Sequence, residues 1–249
     1  EGAGSDGHEH DVTHDPPPHS RQVVAIAPRA PPIRQCAAYA IPADHRLGGD
    51  ARHWKGQTKC AVERLVGEGE VGLQYLPGHE PTFWHPDPSE RTHRFALGHA
   101  AGSPSGATPL VAIGMNPSYA DEQVADKTVN RIIRASVEHG YSGWVMLNLY
   151  PERATKSKDL RPYDATLSAA NCAAIAEVVE VHVVTEVLGA WGGLAHATIR
   201  RAKKDVLVQL ATLGVRLFSF DTPTSGGEPR HPTPRTGPLA MLGPKRYLT

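Results

Sequence analysis

Cysteine is scarce: Cys36, Cys60 and Cys172 are the only three in 249 residues. An odd, widely spaced set provides neither a disulfide framework nor a Cys-x-x-Cys metal knuckle, which points to a reducing compartment. No apolar run approaches the roughly 20 residues of a spanning helix, so no membrane partner is expected. The opening stretch EGAGSDGHEHDVTHDPPPHS lacks the apolar segment of a secretion signal, and a cytoplasmic protein is expected. A phosphate-cradling glycine loop is missing too, as is a clustered His/Cys set in the part that reads as folded. No cofactor and no metal are therefore expected. Net charge is zero, but it is uneven along the chain. Residues 1–90 carry 8 Lys+Arg against 13 Asp+Glu, while 91–249 carry 18 against 13, a net +5. That mild surplus permits a polyanionic partner without demanding one.

What is present divides into three stretches. Residues 1–22 are His, Asp, Gly and Pro with almost nothing to bury, and read as a disordered tail. Residues 23–90 are rich in Pro and Gly with short apolar pieces, and read as a loosely structured extension. From 91 to 249 the pattern becomes regular, and hydrophobic residues at 40% of the chain suffice for a real core. RFALGHA (94–100) reads as a strand. PLVAIG (109–114) reads as a second, apolar throughout as in strands covered on both faces. A helix is expected from a cap at Asp126 to about His139, with Gly140 as its stop. Then come a strand over 143–149, a basic loop over 151–161, a helix over 165–180, a strand over 181–189, a helix over 193–213 and a strand over 215–220. This alternation predicts an α/β fold in three layers, α/β/α, around a mostly parallel central sheet.

Ligands of such sheets bind beyond the carboxyl ends of the strands. Each strand here ends in marked chemistry: Gly114-Met115-Asn116-Pro117-Ser118, Asn148 within LNLYPERAT, Leu188-Gly189-Ala190-Trp191-Gly192, and Arg230-His231-Pro232-Thr233-Pro234. Taken singly, Asn-Pro and His-Pro are ordinary turn dipeptides.

In this order the segments resemble the uracil-DNA glycosylase superfamily. GMNPS is similar to the GINPG motif of the mismatch-specific uracil and thymine-DNA glycosylase branch, VMLNLYPERAT to the strand and loop that read the base, and RHPTP to the HPSP motif. Residues 94 to about 243 also resemble an uncharacterised bacterial family, domain of unknown function 1643. That family is typified by a GLNPSTAD segment and a terminal RHP. The resemblance implies a uracil-DNA-glycosylase-like fold and a DNA glycosylase that excises a uracil-like, mispaired or modified base. Two departures stand out: three cysteines exclude the four-cysteine iron-sulfur branches, and Asn116 replaces the aspartate found in another branch.

On that resemblance, Asn116 orients the attacking water and His231 donates to the departing base, where negative charge accumulates. Asn148 recognises the pyrimidine edge, and Gly114, Met115, Pro117, Ser118 and Tyr119 surround the base. Arg153, Lys156, Lys158, Arg230 and Arg235 hold flanking phosphates. The expected partner is single- or double-stranded DNA, or a nucleotide, met by a monomer. Plainer readings stay open: Asn116 as a pre-proline turn residue, Asn148 as a buried strand-end amide, Asp126 as a helix cap. So do two other functions of the same fold, a non-catalytic module that binds a base, nucleotide or damaged DNA, and an N-glycosidase or transferase acting on free nucleotides.

Overall fold

The computed structural model describes residues 34–35, 72–87, 89–100 and 107–248. The expected tail over 1–22 lies outside the described residues, as does most of the extension expected over 23–90. The described chain is α/β, as its alternating pattern predicted. Its strands, in chain order, are β1 (Arg34–Gln35), β2 (Phe83–His85), β3 (Ala96–Ala100), β4 (Leu110–Gly114), β5 (Gly143–Asn148), β6 (Glu186–Gly189), β7 (Arg216–Ser219) and β8 (Arg246–Tyr247). They form one sheet in the order β1-β2-β3-β5-β4-β6-β7-β8.

The expectation of a mostly parallel sheet is corrected to a mixed one. Only β5-β4-β6-β7 run parallel; β1, β2, β3 and β8 all join antiparallel. For β2 and β3 chain length explains this: a parallel neighbour needs a crossover of a dozen residues or more, usually helical, and only residues 86–95 separate the two strands. The sheet also takes in Phe83–His85, and Tyr75 is buried in the core, so the fold includes residues before 91.

Three helices supply the covering layers: α1 (Lys127–Glu138), α2 (Ala165–Val181) and α3 (Ala197–Thr212). Alternation along β4 explains the all-apolar run. Val111 and Ile113 pack with Ile175, Val178, Ile199 and Val206 of α2 and α3. Leu110 and Ala112 point the other way, onto Ile132 and Ile133 of α1. The Asp126 carboxylate caps α1, accepting from the Val129 N–H at 2.7 Å, and Gly140 follows the helix at φ 72°. β6 begins later than the apolar pattern suggested. Helix α2 continues to Val181, and the chain then turns through Val183 at φ 51°. Apolar residues surround most of α2, so their spacing gives no edge at which to end it.

Candidate functional site

Among the parallel strands, spatial order is second, first, third, fourth. Connections therefore leave β4 in opposite directions, and the crevice between the ends of β4 and β6 is where doubly wound sheets bind ligands. Loops from β4, β5, β6 and β7 all emerge at this edge and are stitched together there. The Ala190 N–H donates to the Ile113 carbonyl (2.8 Å), the Leu149 N–H to that of Gly114 (2.8 Å), and the Gly192 N–H to that of Pro229 (3.0 Å).

The β4 loop is braced from the β5 loop. Tyr150 N–H donates to the Met115 carbonyl (3.2 Å) and Ala154 N–H to that of Pro117 (2.9 Å). The Asn116 amide nitrogen donates to the carbonyls of Ala154 (2.7 Å) and Pro117 (3.1 Å). Both of its N–H groups are thereby committed to the loop. What Asn116 can offer a water is its Oδ1, an acceptor. Pro117 is buried, Met115 and Ser118 are half-buried, and Tyr119 is 48% exposed.

Asn148, expected to face a base, is fully buried. Its Nδ2 lies 3.4 Å from the Arg94 carbonyl and its Oδ1 has no hydrogen-bond partner. A Cβ on Gly114 would lie 2.4 Å from the Met146 methyl, so the glycine makes room for Met146, and the Asn148 Oδ1 lies nearby at an ordinary contact distance of 3.5 Å. Asn171 of α2 fixes the end of β5 from below, its Nδ2 donating to the carbonyls of Asn148 (2.9 Å) and Leu149 (3.2 Å).

Arg153 turns inward rather than toward solvent. Its Nη1 donates to the carbonyls of Ser118 (3.3 Å) and Ala120 (3.1 Å). Arg94, 3% exposed, reaches the same Ala120 carbonyl. Burial lowers the pKa of both guanidinium groups, that of Arg94 to about 10. Lys156, Lys158, Arg230 and Arg235 are exposed around the rim, and Arg230 donates through Nε to the Thr222 carbonyl at 2.9 Å.

Two glycines let the β7 loop lie directly on β6. A Cβ on Gly189 would meet Pro229 at 2.7 Å, and one on Gly192, whose φ is 72°, would meet the His231 Cβ at 3.0 Å. Glu228 anchors this loop, accepting from the Trp191 indole (2.7 Å) and the Lys203 ammonium (2.6 Å). His231 is half-buried, and its Nδ1 accepts from the Thr233 N–H at 3.2 Å. A neutral ring with Nδ1 as acceptor carries its proton on Nε2. Burial lowers the His231 pKa, while the Asp126 charge opposes that shift. Near pH 7 the ring is thus a neutral Nε2–H donor. Thr233 Oγ1 lies 3.3 Å from Thr128 Oγ1, which ties this loop to the first turn of α1.

The structure therefore brings the 114–120 loop, Gly192 and His231 to one edge, with Asn148 enclosed beneath it. Sequence reasoning passed over Arg94, Asn171 and Thr128. An arginine leading into a largely apolar strand was the available signal for the first. Among the described residues, no group of three or more His, Cys, Asp or Glu could hold a metal ion, and no helix is long and apolar enough to cross a membrane.

A fold of this order defines an α/β protein whose marked strand ends form a candidate site at the switch point. More particularly, the chain belongs to the family described as Protein of unknown function (DUF1643), whose model matches residues 94–233. No curated protein and no solved structure matches the chain.

Proposed function

We propose that this protein is a uracil-DNA-glycosylase-like enzyme that hydrolyses the N-glycosidic bond of a uracil-like, mispaired or modified base in DNA. His231 carries the proposal. It is neutral, its Nε2–H is set by the Thr233 N–H on the opposite ring nitrogen, and it sits on the glycine-lined end of β6. Cleaving an N-glycosidic bond leaves an anionic base, and a preorganised donor of this kind typically contributes about 100- to 1,000-fold in rate. Asn116 holds the water through Oδ1. The Asp126 carboxylate at the start of α1 acts on the His231 ring through its charge.

The test incubates the protein with labelled oligonucleotides containing uracil, a G·T mispair, hypoxanthine or 5-hydroxymethyluracil, followed by alkali to cut abasic sites. One substrate is expected to be cleaved, and His231→Ala to slow that cleavage by about 100-fold or more. Strands that stay intact with protein in excess over DNA refute catalysis. A second reading, a non-catalytic module that binds a base or damaged DNA, draws support from Asn116, whose amide protons are committed to loop carbonyls, and from the enclosure of Asn148. It predicts retention of uracil-containing or abasic DNA with no product.

A further inference from the structure

Helix α3 opens with four cations and no acid: residues 197–204 read ATIRRAKK. The partial positive charge at a helix N-terminus favours carboxylates in these turns and disfavours cations. This placement therefore costs helix stability and lets the positive potentials add. The side chain of His196, at the N-cap, makes no capping bond that would offset them.

The buried face of α3 consists of Thr198, Ile199, Ala202, Val206 and Leu210. At about 100° per residue, Arg200, Arg201 and Lys204 fall on the opposite face, and all three are exposed. Arg200 donates to the Leu194 carbonyl at 3.2 Å, and none of the three makes an ion pair among the described residues. The acids beside them are already engaged. Asp205 accepts from the hydroxyls of Tyr163 (2.6 Å) and Ser168 (2.7 Å), and Glu228 pairs with Lys203 (2.6 Å).

Contacts on both flanks tie this face to the edge that carries His231. The Arg201 guanidinium lies 4.1 Å from the centroid of the Tyr163 ring, and Thr198 Oγ1 donates to the Arg161 carbonyl at 2.9 Å. On the other flank the Lys203–Glu228 pair joins α3 to the β7 loop. The outward cations of α3 thus lie between Lys156 and Lys158 of the β5 loop and Arg230 and Arg235 of the β7 loop, all exposed. Toward β2 and β3 the edge turns acidic, with Asp87, Glu90, Asp121 and Glu122 gathered there. An edge charged in this uneven way suits a polyanion on the α3 side alone.

We propose that a nucleic-acid strand crosses the first two turns of α3, where Arg200, Arg201 and Lys204 take its backbone phosphates, and leaves the acidic side uncovered. The proposal rests on the nucleic-acid reading above and adds the path of the strand.

The test measures fluorescence anisotropy of a labelled 20-nucleotide oligothymidine, and of a duplex of the same length, with the full chain in 50 to 200 mM sodium chloride. Arg201→Gln combined with Lys204→Gln is expected to weaken binding about 10-fold or more and to flatten the salt slope by about 1.4 to 1.8, two contacts at about 0.7 to 0.9 each. Arg134→Gln, which removes an exposed cation from the later turns of α1, is expected to leave binding unchanged. Undiminished binding by the folded double variant overturns the proposal, as does an equal loss in Arg134→Gln or tighter binding to phosphatidylserine vesicles than to either oligonucleotide. If the double variant does not fold, Lys204→Gln alone decides, because its side chain is exposed and unpaired. Native protein that binds neither oligonucleotide at 50 mM salt overturns the path as well. Native binding with unaffected α3 variants refutes the path and leaves the nucleic-acid reading standing, and excision is judged by its own assay.

Discussion

Asp126 has two separable effects, and two substitutions part them. Its Oδ1 caps α1 at 2.7 Å from the Val129 N–H, and its charge acts on His231 and Arg94. Asp126→Ala removes both. Loss of an N-cap side chain costs about 1 to 2 kcal/mol, and at 8% exposure water replaces the missing acceptor poorly, so the upper value applies. Asp126→Asn keeps an equally good cap and loses only the charge at the helix N-terminus, about 0.5 kcal/mol. For a chain of this size each kcal/mol moves Tm by about 2–4 °C, which predicts falls of about 4–8 °C for alanine and about 1–2 °C for asparagine. Urea denaturation at pH 7 measures the stabilities, and NMR titration of the His231 ring measures its pKa. Because the Asp126 charge raises that pKa, it should fall in both variants. Equal destabilisation by Asn and Ala would refute the capping account, and an unmoved His231 titration the electrostatic one. Excision that survives in Asp126→Asn removes Asp126 from the catalytic proposal and leaves it a cap.

Gly192→Ala must adopt φ near 72° at a cost of about 1–2 kcal/mol and place a methyl 3.0 Å from the His231 Cβ. Lower stability together with shifted His231 ring resonances is expected, and a fully stable variant with unmoved resonances contradicts it. Asn171→Ala leaves the carbonyls of Asn148 and Leu149 without their buried donor and should cost about 1–3 kcal/mol in urea denaturation. Burial lowers the pKa of His79, His85, His182 and His231 below 6.5, so the unfolded chain binds more protons in the window beneath that value. Their contribution to stability is complete above about pH 6.5 and is lost as pH falls through the folded pKa values. Tm should drop from pH 7 to pH 5, and a Tm that holds or rises on acidification rules this out.

Elements whose cause is local were legible in the sequence. The cap at Asp126, the stop at Gly140 and the doubly covered strand β4 follow from side-chain oxygen, left-handed glycine and an unbroken apolar run. The antiparallel joining of β3 was not, because RFALGHA would look the same in either direction. Position at the site was legible for the same local reason. Turn-forming Gly, Asn and Pro at four strand ends must emerge on one edge once those strands are parallel. Side-chain direction was not. Arg153 turns inward because the carbonyls of Ser118 and Ala120 await it some 35 residues back in the chain. Asn148 is enclosed at the end of β5, with its Nδ2 against the Arg94 carbonyl some 54 residues back.

That inward turn splits the positive charge into two populations with different physics. Lys156, Lys158, Arg230 and Arg235 stand exposed at the rim, where attraction to a strand is screened over about 10 Å at 0.1 M salt. Arg94 and Arg153 lie behind the loops, where screening is weak and dehydration sharpens each contact. A partner held chiefly by the rim must release counterions from several phosphates and so loses affinity steeply as salt rises. On the proposed function, binding of a nucleic-acid strand at the rim is expected to fall steeply with salt, and binding of a single nucleotide to fall little.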